Sequence, residues 1–190
     1  MKIALYFGSF NPVHVGHLII ANHVLNETEA ERLWFVVSPH NPLKNENGLL
    51  NEYHRLHLVQ TAIAEDPRMK ASDIEFHLPR PSYTIDTLTY LKEKYPEHEF
   101  SIVMGSDSFS NIKKWKNHEL LLRDYTIIIY QRPGFVVDAP AGSQVRILDA
   151  PLLEISATRI RELIQHGKSI RYMVPEKVRE EIEAGGYYKG

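Results

Sequence analysis

The chain has 190 residues, 43% of them hydrophobic and 24% charged, with a formal net charge of −2. That balance belongs to one soluble globular domain with a full core, and it gives no global electrostatic footprint for DNA or RNA, so no nucleic-acid partner is expected. The absence of cysteine excludes disulfides, thiolate metal sites and a cysteine nucleophile, and fits a cytoplasmic location.

In chain order, Ile3 to Phe7 reads as a buried strand ended by Gly8. The apolar run is too short for a secretory signal, and no stretch approaches the roughly 18 to 20 apolar residues of a membrane span, so no membrane partner is expected. His14 or Val15 to about Asn26 has helical spacing, and "RLWFVVSP" is a second buried strand stopped by Pro39. "HNPLKNENGLL" is a polar loop. Asn51 caps a helix through about Ala64, with Leu56, Val59, Ala62 and Ile63 on one face. "DIEFHL" alternates like a strand, "PRPSY" is a turn, and Thr84 to Tyr95 is a helix burying Ile85, Leu88 and Leu91. "FSIVM" is a strand broken at Gly105, followed by a helical stretch carrying Trp115, the strand "YTIIIY" and the turn "QRPG". "VRILD" is a last strand. "ISATRIRELIQHG" begins with a Ser/Thr cap and ends at Gly167, and "PEKVREEIEAG" is a terminal helix between Pro175 and Gly185.

Strands alternate with helices, and the strands are continuously apolar. This predicts an α/β domain with a doubly wound parallel sheet covered on both faces, spanning residues 1–190, with a small C-terminal helical part over 156–190. Ligands of such sheets bind beyond the carboxyl ends of the strands, near the point where strand order reverses. The unusual residues fall there: Gly8 to His17, Pro39 to Lys44, Gly105 to Asp107, and Arg132.

The stretch "GSFNPVHVGH" joins a flexible strand end to a helix start. Gly8 can take positive φ and admit a ligand to the backbone, Pro12 stiffens the turn, and the helix N-terminus is a ready phosphate site. Gly16 within the first turn implies a bulky neighbour where its side chain would stand. His14 and His17 lie three apart on one face, where imidazolium donates to phosphate oxygens and stabilises charge that develops during transfer. No G-x-x-x-x-G-K-[ST] and no G-x-G-x-x-G follows the first strand, which argues against a P-loop NTPase and a dinucleotide oxidoreductase. Near the end, Ser156 and Thr158 supply hydroxyls at another helix start, and Arg161 one turn on suits bidentate phosphate binding.

Together, "HVGH" and "ISATRIR" resemble the nucleotidyltransferase superfamily with an H-x-G-H signature, and its Rossmann-like fold. Over nearly the whole chain the sequence most resembles the nicotinate-nucleotide adenylyltransferase family, through "SPHNPLK", the Arg55 helix, "SYTIDTL", "GSDSFSNIKKW" and "YQRPG". It departs in "GSFNP", where the family often has an aspartate at the position of Asn11, and in Ala157, where serine is frequent. The resemblance implies adenylyl transfer from ATP to nicotinate mononucleotide, giving nicotinic acid adenine dinucleotide and pyrophosphate in NAD biosynthesis. It implies that His14, His17 and Arg161 are catalytic. Gly8, Ser9, Phe10, Gly16, Gly105, Asp107, Arg132, Ser156 and Thr158 join Arg161 in binding ATP, and His40, Lys44, Tyr83, Thr84 and Trp115 bind the mononucleotide. Mg²⁺ is expected to travel with ATP and not to occupy a dedicated protein site. The alternatives are a sister adenylyltransferase acting on nicotinamide mononucleotide or phosphopantetheine, a non-catalytic nucleotide-binding module, and a zinc hydrolase using His14, His17 and His23. The last lacks H-E-x-x-H spacing. A homo-oligomer is compatible with the sequence, which does not decide it.

Overall fold

The computed structural model describes residues 1–39, 48–151 and 154–190. Its centre is a six-stranded sheet, all parallel, in the order β3-β2-β1-β4-β5-β6. The chain runs outward through β1 (Lys2–Gly8), β2 (Arg32–Val37) and β3 (Met69–Ser72). It then returns to lay β4 (Glu99–Gly105) beside β1 and continues the other way through β5 (Thr126–Tyr130) and β6 (Val145–Leu148). Strand order therefore reverses between β1 and β4, and a crevice opens at their carboxyl ends.

Alternation along each strand decides which side chains meet which helices. Ala4 and Tyr6 of β1 face α1 (Val15–Glu27), α2 (Glu52–Ile63), α6 (Ala157–Gln165) and α7 (Glu176–Gly185), whose buried residues include Val24, Leu58, Ile160 and Val178. Ile3 and Leu5 face α3 (Thr84–Lys94), α4 (Ser106–Phe109) and α5 (His118–Asp124), through Leu88, Phe109 and Leu121. Because both faces are covered, the central strands read as unbroken apolar runs. The C-terminal helices complete the first of these layers.

Local chemistry sets the element ends. Asn51 accepts from the Tyr53 N–H at 2.9 Å to cap α2. At the end of α6, Gly167 takes φ +64°, and Lys168 donates back to the Leu163 carbonyl at 2.8 Å.

Several expectations need correction. "DIEFHL" is not a strand: Ile74–His77 form a 3₁₀ turn, and the strand before it is Met69–Ser72. Alternation predicted Ile74 in and Glu75 out, but both are buried. On α2 the most buried residues are Arg55, Leu58, Val59 and Ile63, while Leu56 and Ala62 are half-buried. Trp115 is not inside a helix: it follows a 3₁₀ turn over Ile112–Lys114 that separates α4 from α5. Gly185 is the last residue of α7, and Gly186 is the one in left-handed backbone, at φ +62°.

Candidate active site

The turn after β1 is built around aromatic packing. A side chain on Gly8 would meet the Phe10 ring at 2.9 Å, so glycine is required there by close approach; the expected positive φ belongs instead to Phe10, at 46°. The Phe10 ring is buried against Tyr6, Phe35 and His17. Asn11 ties the turn to the next loop: its Nδ2 donates to the Gly48 carbonyl at 2.9 Å, and its Oδ1 accepts from the Leu50 N–H at 3.1 Å.

His14 is the N-cap of α1, with φ −143°, and stacks on His17 at 3.7 Å between ring centroids. The His17 Nδ1 accepts from the His14 N–H at 3.2 Å, which fixes the pair. The bulky neighbour of Gly16 is His14 itself, whose ring lies 3.0 Å from where a Cβ would be. The Val15 N–H donates to the Met173 carbonyl at 3.0 Å, so the C-terminal segment occupies the first amide of the expected anion site. Burial, with the Arg132 charge second, lowers the His14 pKa to about 4. In this structure His14 is therefore a neutral imidazole near pH 7, not the expected imidazolium, and its buried Nδ1 has no hydrogen-bond partner among the described residues.

The second phosphate motif meets the first directly. Ser156 caps α6 by accepting from the Arg159 N–H at 3.1 Å. Arg161 donates from Nη1 to the Asn11 carbonyl at 2.8 Å and from Nη2 to the Thr158 hydroxyl at 3.3 Å. Beyond β4 and β5, a Cβ on Gly105 would lie 2.3 Å from an Asp107 carboxylate oxygen and 3.0 Å from the Tyr130 ring. Asp107 faces Arg132, whose Nε is 3.5 Å from its Oδ1, while the guanidinium lies over Tyr130.

A cavity of about 450 Å³ at the strand carboxyl ends is lined by Gly8, Tyr83, Thr84, Gly105 and Trp115 among others, and not by His14, His17, Asp107, Arg132, Ser156, Thr158 or Arg161. Five of the sequence-predicted site residues thus line one cavity. Trp115 is half-buried against the core. Lys116 lies over the Tyr83 ring at 5.1 Å, held by the Asp86 carboxylate at 2.8 Å. His40 and Lys44 fall outside the described residues. Another cavity of about 440 Å³ opens near Lys2, His98 and Arg146, and none of the predicted site residues lines it.

Sequence reasoning gave no role to Arg55, which organises the site. It is fully buried and donates to four carbonyls: Leu50 from Nε at 2.7 Å, Ser9 and Ser38 from Nη1 at 2.7 Å, and Pro39 from Nη2 at 2.9 Å. It thereby locks the loops after β1 and β2 together. The available signal was an arginine three and four residues before Leu58 and Val59, on the buried face of an amphipathic helix. Glu75, buried in the cavity wall, was also missed, because the strand reading turned it toward solvent.

Residues 5–163 match the Cytidylyltransferase-like family. A "Probable nicotinate-nucleotide adenylyltransferase" of Cytophaga hutchinsonii is 50% identical over 192 residues, covering 99% of this chain and 98% of the relative. One of the same name from Bacteroides fragilis is 46% identical over 182 residues, covering 95% and 90%. Among solved structures, Plasmodium falciparum nicotinic acid mononucleotide adenylyltransferase complexed with NaAD superposes with a TM-score of 0.83 at 22% identity, covering 98% of this chain and 97% of that one, which establishes the shared fold. On this match of sequence and fold, the chain belongs to the cytidylyltransferase-like family and, within it, to the nicotinate-nucleotide adenylyltransferases.

Proposed function

We propose that the site transfers the adenylyl group of ATP to nicotinate mononucleotide, releasing pyrophosphate and forming nicotinic acid adenine dinucleotide. A phosphate oxygen of the mononucleotide attacks the α-phosphorus in line, and the bond from that phosphorus to the bridging oxygen of the departing pyrophosphate breaks. The nucleophile is already an anion, so the protein needs neither a covalent nucleophile nor a strong base. Its work is positioning and charge stabilisation.

The observation that carries this reading is the junction of the two motifs. Arg161, 150 residues from Asn11, bonds its carbonyl at 2.8 Å and places α6 against the turn that carries the stacked His14 and His17. In this assignment His14 and His17 donate to the α-phosphate. A neutral imidazole donates one N–H, and the arriving polyphosphate favours protonation of His14. Ser156, Thr158 and Arg161 hold the β- and γ-phosphates. Asp107 accepts from the adenosine ribose hydroxyls beside Gly105, and Arg132 contacts phosphate. Trp115 stacks on the flat pyridinium, and N–H groups near Thr84 receive its carboxylate. Mg²⁺ would be carried by ATP and would supply neutralising positive charge to the phosphates. Asp107 faces Arg132 at 3.5 Å, not an open cation position, which supports that route.

The test is pyrophosphate release with ATP and Mg²⁺, offering nicotinate mononucleotide, nicotinamide mononucleotide and phosphopantetheine in parallel. Strong preference for the first is expected. Release only with another acceptor would retain the phosphate assignments and discard the acceptor pocket. ATP binding without release for any of them would point to a non-catalytic binding module.

A further inference from the structure

The cavity beside Trp115 holds a group that the transfer chemistry leaves without a role. Glu75 is 3% exposed, yet both its oxygens are engaged: Oε1 accepts from the Thr87 hydroxyl at 2.9 Å and Oε2 from the Ser82 hydroxyl at 3.1 Å. The Ser38 side chain is a third donor. These hydroxyls come from three segments: the loop after β2, the turn before α3, and α3 itself. Burial pushes the Glu75 carboxyl pKa up, and the three hydroxyls only partly offset the shift. A carboxyl enclosed with neutral partners is a costly way to fill a core position, where an apolar side chain would pack without that penalty.

Placement gives it a purpose. Ser82 and Thr87 bracket Tyr83 and Thr84, which line the same cavity. The Tyr83 carbonyl accepts from the N–H groups of Asp86 at 3.0 Å and Thr87 at 3.1 Å, closing the first turn of α3. The N–H groups of Thr84 and Ile85, at the start of that helix, have no intrahelical acceptor. Any rotation of this turn would move those N–H groups and the Tyr83 ring, which carries Lys116 over its face.

We propose that Glu75 is a positioning residue for the acceptor: by pinning Ser82 and Thr87 it holds the Tyr83–Thr84 turn in the orientation that receives the ring carboxylate of the mononucleotide. The inference rests on the proposed function and adds to it a determinant of acceptor recognition. Because Glu75 acts through the turn and not on the reacting phosphates, its loss should fall on acceptor binding alone.

The experiment is steady-state kinetics of the full chain with Glu75→Ala and Glu75→Gln. Glu75→Ala is expected to raise KM for nicotinate mononucleotide about tenfold or more, while KM for ATP stays within about twofold and kcat within about threefold. Its preference for nicotinate over nicotinamide mononucleotide should fall by a similar factor. Glu75→Gln keeps two hydrogen-bonding atoms for hydroxyls that can rotate to suit, and should restore KM to within about threefold. A general structural role would lower the active fraction or raise both KM values together, and either result overturns the proposal. So does an unchanged acceptor KM in Glu75→Ala, or a failure of Gln to rescue. If Glu75→Ala does not fold, Ser82→Ala and Thr87→Val each remove one donor and must raise the acceptor KM selectively; unchanged values refute the idea. A wild-type chain that releases no pyrophosphate with nicotinate mononucleotide would sink the functional reading and this inference with it. An active wild type with an indifferent Glu75→Ala sinks the inference alone.

Discussion

Replacing Arg55 with methionine removes the clamp between the two loops that frame the crevice while keeping much of the buried volume. Four carbonyls, those of Ser9, Ser38, Pro39 and Leu50, lose their donor. Hydrogen bonds to a charged group contribute about 1.5–3 kcal/mol each, which would sum to at least about 6 kcal/mol if all were lost outright. Two effects reduce that. The arginine itself is desolvated, as its lowered pKa records, so removing the charge recovers part of the gain. Water also re-solvates carbonyls at the loop surface. We expect a net loss of about 3–4 kcal/mol, which for a chain of this size lowers Tm by roughly 6–16 °C. Arg55→Lys keeps the charge but not the planar fork, and should fall between wild type and methionine. Urea unfolding followed by circular dichroism gives the stabilities, and pyrophosphate release gives KM for both substrates. Because Ser9 lies at the phosphate turn and Ser38 on the acceptor side, both KM values should rise in Arg55→Met. A variant within about 0.5 kcal/mol of wild type would refute the carbonyl accounting. A destabilised variant with unchanged KM values would refute the link from clamp to site.

Three further outcomes are expected. His17→Ala should lower kcat by 10²-fold or more, on the order of 3 kcal/mol in the transition state, in a protein that still folds; near-normal turnover would remove His17 from the transferred phosphate. Trp115→Ala should act mainly on KM for the mononucleotide, and an unchanged KM in a destabilised protein would make Trp115 a plain core residue. The His14 pKa, lowered from 6.5 to about 4, makes stability pH-dependent. Between those values the unfolded chain binds a proton that the folded chain refuses, so stability falls as pH drops through that window, by about 3 kcal/mol in full, and His14 contributes no slope above it. His14→Gln should lose that part of the acid slope in urea melts across the same range, and an unaltered slope would contradict the burial argument.

The sequence was most readable where function and fold are written in contiguous residues. Ile3–Phe7 and the run ending at Val37 are strands buried on both faces, so their apolarity is unbroken and needs no partner to interpret. The turn through His17 and the start of α6 declare themselves because capping, glycine and histidine fall within a few positions. Readability failed where a residue's role exists only after folding. "DIEFHL" has the alternation of a strand, but a 3₁₀ turn buries the adjacent Ile74 and Glu75 together, and the hydroxyls that make Glu75 tolerable come from Ser38, Ser82 and Thr87, distant along the chain. The true strand, Met69–Ser72, is a four-residue sheet edge, and its Met-Lys-Ala-Ser alternation is too short to declare a period. Arg55 looks like an ordinary helix-face arginine until the loops from Ser9 and Ser38 close over it.

That arginine also resolves the apparent conflict between a net charge of −2 and a site meant for polyphosphate. What matters is whether each cation is already neutralised. Away from the crevice, arginines face carboxylates: Arg68 with Asp66, Arg80 with Glu52, Arg123 with Asp124, and Arg179 with Glu176 and Glu183. At the crevice Arg132 faces Asp107, but Arg55 donates to carbonyls and Arg161 to a carbonyl and a hydroxyl, and neither of these two is ion-paired among the described residues. Neutral acceptors hold a guanidinium in place without cancelling its field, and partial burial weakens the screening of that field by water. Replacing the Asn11 carboxamide with a carboxylate would put a negative charge in the turn whose carbonyl Arg161 engages. Asn11 adds no charge there, and its carboxamide donates to the Gly48 carbonyl, a bond an aspartate has no N–H to make.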